Sequence, residues 1–171
     1  MVKYIVGDLF SHVPKAANSV SIYAHACNCK GVWGAGVAAI FKKKFPSTFT
    51  EYNRHCLQHK GELLGTCQLI ESSASDPGNN GVPSFVACLF TAPSTGSRQL
   101  KSSIIENTDK SLEDLHTQLQ HLSKNFENED GKIVINMPKI NAGLFATPWE
   151  QTEAVLLKHE HNFHFNVYVL E

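Results

Sequence analysis

The chain is predicted to fold as an α/β layered sandwich, because strand-like and helix-like stretches alternate along it from end to end. Its 171 residues and 42% hydrophobic content suit a single domain spanning residues 1–171 with one core, and neither an internal repeat nor a linker interrupts it. Two short glycine-bearing loops more than a hundred residues apart each follow an apolar strand-like run and lead into a helical pattern.

Residues 3–6 and 20–26 read as strands, the second from its alternation of Val20, Ile22 and Ala24 with polar neighbours. From 35 to 45, Val37, Ile40, Phe41 and Phe45 recur at helical spacing, and Lys42, Lys43 and Lys44 form a solvated last turn. Pro46 is expected to end that helix, Ser47 to cap another running to about Lys60, and Gly61 to close it. Residues 66–70 and 85–91 read as a strand pair joined by 71–83, whose Ser, Asp-Pro-Gly and Asn-Asn-Gly content marks a mobile surface loop. Ile104, Thr108, Leu112, Leu115, Leu119 and Leu122 trace the core face of a long helix, which the polar stretch 123–131 ends. A β-branched strand over 132–137, a helix over 148–157 opened by Pro148, and a strand over 164–170 complete the order.

The two loops are Asn28-Cys29-Lys30-Gly31-Val32-Trp33-Gly34-Ala35-Gly36-Val37 and Asn141-Ala142-Gly143-Leu144-Phe145-Ala146-Thr147-Pro148-Trp149. Glycine lets a backbone approach an anion closely, and the free N–H groups that open a helix point toward negative charge. Two such loops face to face are able to grip a diphosphate. Fifteen basic against sixteen acidic residues argue against duplex nucleic acid as a partner and for a small ligand. Five scattered cysteines read as reduced thiols and not as a disulfide framework, and no stretch approaches the length of a membrane span. With no signal-peptide layout at the N-terminus, a soluble protein of the cytoplasm or nucleus is expected.

These motifs carry a resemblance. Val6-Gly7-Asp8-Leu9-Phe10, His25-Ala26-Cys27-Asn28 with Trp33-Gly34-Ala35-Gly36, and Pro138-Lys139-Ile140-Asn141-Ala142-Gly143-Leu144-Phe145 with Pro148-Trp149 resemble the macrodomain family, whose members bind ADP-ribose. The match runs nearly end to end, and within the family it is most similar to the fungal ADP-ribose 1''-phosphate phosphatase subgroup. The resemblance implies a three-layer sandwich with a central mixed β-sheet flanked by helices. It implies a monomeric phosphatase without cofactor or metal, acting on a tRNA-splicing by-product, with no nucleic-acid or membrane partner and a mono-ADP-ribosylated protein as a further candidate partner.

The implied roles follow plain chemistry. Asp8 is expected to accept a hydrogen bond from the adenine amine, with Leu9 and Phe10 beside the base and Tyr168, Val169 and Leu170 closing its other side. As an alternative, Asp8 caps the next turn. Asn28, a catalytic candidate with His25, suits the distal ribose hydroxyls, and Ala26 before it is expected in the binding site. Backbone N–H groups of Gly34, Ala35, Gly36 and Val37 are expected on one phosphate and those of Ala142, Gly143, Leu144 and Phe145, following Asn141, on the other. Phe145 is placed against the ribose and Trp149 beneath the loop, with core packing as the alternative for both. His25 is the candidate general acid or base, against an alternative in which it orients Asn28 or the loop. Ser94, Thr95 or Ser97 is expected to help hold the distal phosphate.

Cys29 reads as a buried thiol, since the Cys and Arg pair of cysteine phosphatases is absent. Cys27 and Cys29 are expected to face opposite sides of the strand, and His159, His161 and His164 to form a polar connection, so that neither group reads as a metal site. Related phosphatases tend to carry glycine where this chain has Ala146, and a positive φ there costs on the order of 1 kcal/mol. The lysine and aspartate of a macrodomain glycohydrolase are replaced by Ala92 or Pro93 and by Phe145, which ranks that mechanism low. Two other activities remain open: a non-catalytic reader of ADP-ribose or of mono-ADP-ribosylated protein, and a hydrolase of O-acetyl-ADP-ribose or ADP-ribosyl esters.

Overall fold

In the computed structural model, which describes residues 1–79, 81, 83–95 and 100–170, strands β1 (Val2–Val6), β2 (Ile22–Asn28), β3 (Cys67–Glu71), β4 (Phe85–Ala92), β5 (Asn128–Glu129), β6 (Lys132–Met137) and β7 (Phe163–Val169) form one sheet. Its order is β1-β7-β6-β2-β4-β3, with β5 added to the start of β6. The pairs β1·β7, β7·β6, β6·β2 and β2·β4 are parallel, while β3·β4 and β5·β6 are antiparallel. Every residue of β4 and nearly every residue of β2 is buried, as a parallel strand covered on both faces requires.

Helices α1 (Gly36–Lys44) and α2 (Pro46–His59) cover one face, with Phe41, Phe45, Tyr52 and Cys56 packed on Tyr23, Cys27, Val86 and Phe90. Helices α3 (Lys101–Gln120) and α4 (Trp149–Lys158) cover the other, where Leu112, Leu115, Leu119, Val155 and Leu156 meet Ile22, Ala24, Ile135 and Phe165. This is the three-layer sandwich with a mixed sheet.

The departures from the sequence reading have local causes. Pro46 opens α2 at a position where its missing N–H costs nothing, so the break falls at Phe45 and Ser47 lies inside the helix. The Ser47 hydroxyl instead donates to the Asp76 carboxylate and accepts from the Ser73 N–H at 3.0 Å. The same contacts pin residues 72–79, expected to be mobile. Gly78 N donates to Lys44 O at 2.7 Å, and a Cβ on Gly78 would stand 2.6 Å from the Phe45 ring. Ser72 and Asp76 are buried there. The helix predicted to reach Leu122 stops at Gln120, leaving Leu122 exposed. Residues 123–131, read as a plain terminator, contribute β5 and the buried Glu127, which bonds His12 at 2.8 Å and Asn136 at 3.3 Å.

Candidate functional site

The chain leaves β2 through α1 and α2 toward β4 on one side, and leaves β6 through α4 toward β7 on the other. Adjacent parallel strands whose connections depart in opposite directions open a crevice at their C-terminal ends, the place where α/β sheets bind ligands. A cavity of about 390 Å³ lies there, within the size range of small-ligand sites. The first loop contributes Asn28, Val32, Trp33, Gly34, Ala35, Gly36 and Val37 to its walls, and the second contributes Lys139, Asn141, Gly143, Leu144 and Phe145. His25, Ala26 and Thr95 also border it.

The first loop is built around one carboxamide. Asn28 Nδ2 donates to Val32 O at 2.8 Å, while its Oδ1 accepts from Lys30 N at 2.9 Å, Val32 N at 3.4 Å and the Tyr52 hydroxyl at 3.1 Å. The amide expected on the ribose hydroxyls is therefore engaged mainly in shaping its own loop. Beyond it, Ala35 is the N-cap of α1 and offers no side-chain acceptor to the helix. The N–H groups of Gly34, Ala35, Gly36 and Val37 find no acceptor among the described residues, and the helix N-terminus adds favourable field for an anion. Gly36 has φ +61°, a conformation open to glycine at no steric cost.

The second loop also turns on an asparagine. Asn141, at φ +65°, accepts from the Thr91 hydroxyl at 2.9 Å and donates to the Thr108 and Thr152 hydroxyls at 3.0 and 3.3 Å, tying the loop to β4, α3 and α4. Its side chain holds the loop from within while the residue lines the cavity. Thr147 N then donates to Asn141 O at 2.8 Å and Ala146 N to Gly143 O at 2.9 Å, closing a turn that holds Ala146 at φ +51°. The strain expected for alanine at that position is present. Gly143, Leu144 and Phe145 keep N–H groups that meet no acceptor among the described residues. Ala142 does not serve as expected, because its N–H approaches Lys139 O at 3.4 Å and it lies outside the cavity wall.

The structure separates other expected residues from the cavity. Asp8, Leu9, Phe10 and Leu170 share the C-terminal edge of the sheet with it but do not line it. Asp8 accepts from Phe10 N at 3.0 Å as the cap of a 3-10 turn, Leu9 is core, and Phe10 packs edge-on to Phe41 at 4.9 Å. Leu170 is 84% exposed. Trp149 packs against Tyr4 and donates its indole N–H to that hydroxyl at 2.8 Å, away from the loop it was expected to support. Phe145 is buried with Ala92 and Ile104 and also borders the cavity. Ser97 lies outside the described residues, and Ser94 is not in the cavity wall.

His25 borders the cavity and is fully buried, its ring stacked on Phe41 at 3.9 Å and edge-on to Trp33 at 4.7 Å. Its ring nitrogens lie 3.5 and 3.8 Å from the Cys27 sulfur. Packed between these rings, the imidazole is placed to support the loop, the alternative that the sequence left open beside the acid or base role. Residues two apart on a strand share a face, so Cys27 and Cys29 both point into the α1–α2 side, contrary to expectation. Burial alone would raise the Cys27 thiol, but hydrogen bonding from the Cys88 thiol and the neighbouring His25 ring outweigh it and lower it to about 6. Burial and the charge of Cys27 push Cys29 up to about 11, which suits an inert thiol. His159 pairs with Asp109 at 2.6 Å and His164 with Asn166 at 3.1 Å, so these histidines serve separate contacts.

Lys139 went unremarked as a functional side chain, although its place between Pro138 and the second loop was visible. It carries a permanent cation among the described residues that line the cavity.

Comparison with known proteins agrees with this fold. The Macro domain family model matches residues 24–156. ADP-ribose 1''-phosphate phosphatases of Debaryomyces hansenii and Meyerozyma guilliermondii are 53% and 54% identical, covering 100% and 99% of this chain and 100% and 98% of theirs. Among solved structures, the macrodomain of Mycobacterium tuberculosis DarG superposes with a TM-score of 0.70 at 21% identity, over 98% of this chain and 97% of that one. Thermosipho africanus DarTG in complex with ADP-ribose superposes at 0.71 with 15% identity, over 99% of this chain and 41% of that one.

Proposed function

The chain belongs to the macrodomain family, and from that premise we propose that it binds ADP-ribose 1''-phosphate between its two loops and hydrolyses it to ADP-ribose and phosphate. The observation that carries this reading is the pair of facing backbone cradles, Gly34 to Val37 and Gly143 to Phe145, whose N–H groups have no acceptor among the described residues. Backbone donors of this kind hold a diphosphate without basic side chains. The extra monoester carries further negative charge, and Lys139 supplies a cation at the wall for it.

Phosphoryl transfer asks chiefly for positioning and for charge stabilisation on the equatorial oxygens. Preorganised N–H groups in a partly dry cavity supply both. Water attacks phosphorus as the bond from phosphorus to the 1''-oxygen breaks, and one proton of that water passes to the sugar oxygen, so that ADP-ribose and hydrogen phosphate leave. The resemblance of the chain to the phosphatase subgroup supports a place in the metabolism of a tRNA-splicing by-product, a cytoplasmic location and action as a monomer, and we propose these with the substrate.

One observation favours a second reading. The His25 ring, the titratable side chain that the sequence offered for proton transfer, is fully buried against Phe41 and Trp33, as suits a reader of ADP-ribose or of mono-ADP-ribosylated protein. Incubation of the purified protein with ADP-ribose 1''-phosphate, following phosphate and ADP-ribose together, decides between them. Equimolar release of both is expected. Tight binding of ADP-ribose without release would establish the reader.

A further inference from the structure

Beneath the first loop, three side chains with soft-metal donor atoms meet in the core. His25 and Cys27 project from the same face of β2, and Cys88 stands on β4 directly beside His25 in the parallel register. Cys27 Sγ lies 3.5 Å from His25 Nε2, and donor atoms of His25, Cys27 and Cys88 all fall within 4.8 Å of one another. Ligands held about 2.0 Å (nitrogen) and 2.3 Å (sulfur) from one ion stand roughly 3.5–3.8 Å apart. The histidine and Cys27 are therefore already at ligand spacing, and Cys88 needs to close by no more than about 1 Å.

The surroundings suit a metal centre. All three residues are at most 2% exposed, His25 and Cys27 stand behind the wall of the ligand cavity, and Phe41 and Trp33 pack against the histidine. The Trp33 indole N–H, in the same wall, is buried without a hydrogen-bond partner among the described residues. An N–H donated to a metal-bound sulfur is the kind of outer contact that orients such ligands.

We infer that His25, Cys27 and Cys88 form a closed site for a single soft cation, Cu(I). Thiolate donors select soft ions, and structural zinc takes four ligands, whereas no fourth histidine, cysteine or carboxylate joins this group among the described residues. The bound ion would join β2 to β4 below the first loop and hold its base, a role separate from phosphate chemistry.

The test is anaerobic titration of the reduced full-length protein with Cu(I) against a chromophoric Cu(I) chelator, with a parallel titration of Zn(II). One Cu(I) per chain is expected, weakened about 100-fold by Cys88→Ala and unchanged by Cys67→Ala. Cys88 lies outside the cavity wall, so Cys88→Ala should keep ADP-ribose affinity, which confirms that the variant is folded. Equal Cu(I) binding by wild type and Cys88→Ala, no stoichiometric Cu(I), or stoichiometric Zn(II) in its place would each overturn the assignment.

Discussion

The two phosphate loops reach the same result by different routes. Each is organised by an asparagine directed mainly into the protein, Asn28 or Asn141, leaving a short run of backbone N–H groups bare toward the cavity. The first loop passes directly into α1, so its donors include an uncapped helix N-terminus. The second closes into a strained turn at Ala146 and α4 begins only at Trp149, beyond the cavity wall. Helix field therefore contributes to one cradle, and turn geometry alone builds the other.

This difference is most exposed by placing a carboxylate at each helix cap. Ala35→Asp should stabilise α1 by about 1 kcal/mol while weakening ADP-ribose about 100-fold through like-charge repulsion, giving opposite signs in urea unfolding and calorimetry. Pro148→Asp caps α4 and should leave ADP-ribose affinity unchanged. Comparable losses of affinity in both variants would show that α4 also faces the ligand.

Removing the organising amides should affect both loops alike. Asn28→Ala strands Lys30 N, Val32 N and Val32 O, and should cost about 3 kcal/mol; Asn141→Ala, whose partners are adaptable hydroxyls, should cost about 2. Each should lose ADP-ribose affinity together with stability. A loss of affinity at unchanged stability in Asn28→Ala would return that amide to the ribose.

A pH effect is expected on the first-loop side. The folded chain holds the Cys27 thiol near 6, below the ordinary value of 9. Its ionised form therefore adds stability that is complete above pH 9, declines as pH falls, and is lost below 6. Urea midpoints measured across that window should rise with pH in the wild type and flatten in Cys27→Ala.

The smallest expected effect belongs to the second loop. Ala146→Gly relieves φ +51° but loosens the unfolded chain, for a net gain of about 0.5–1 kcal/mol. Thermal unfolding reads it, and destabilisation would show that the turn relies on the alanine methyl.

Much of the fold was legible because periodicity tracks burial: Lys132–Met137 was read at its observed bounds, and the leucines of α3 from Ile104 to Leu119 were read as core. The two cradles were legible because glycine and asparagine mark backbone conformations few residues adopt. What stayed hidden depends on partners distant in sequence. The amide of Asn28 looked like a ligand donor until Val32 and Tyr52 were placed around it, and that of Asn141 carried no sign of Thr91, Thr108 and Thr152. His25 looked like an acid or base until Phe41 and Trp33 closed over its ring, and Cys88 had no local signal linking it to Cys27.

The central claim is that backbone N–H groups of both loops hold the ligand. Amide chemical-shift mapping during titration with ADP-ribose tests it most directly. The largest changes should fall on Gly34, Ala35, Gly36, Val37, Gly143, Leu144 and Phe145. Unmoved amides there, with changes centred on the separate hollow of Met1, Glu129, Asp130, Lys132 and His164, would contradict it.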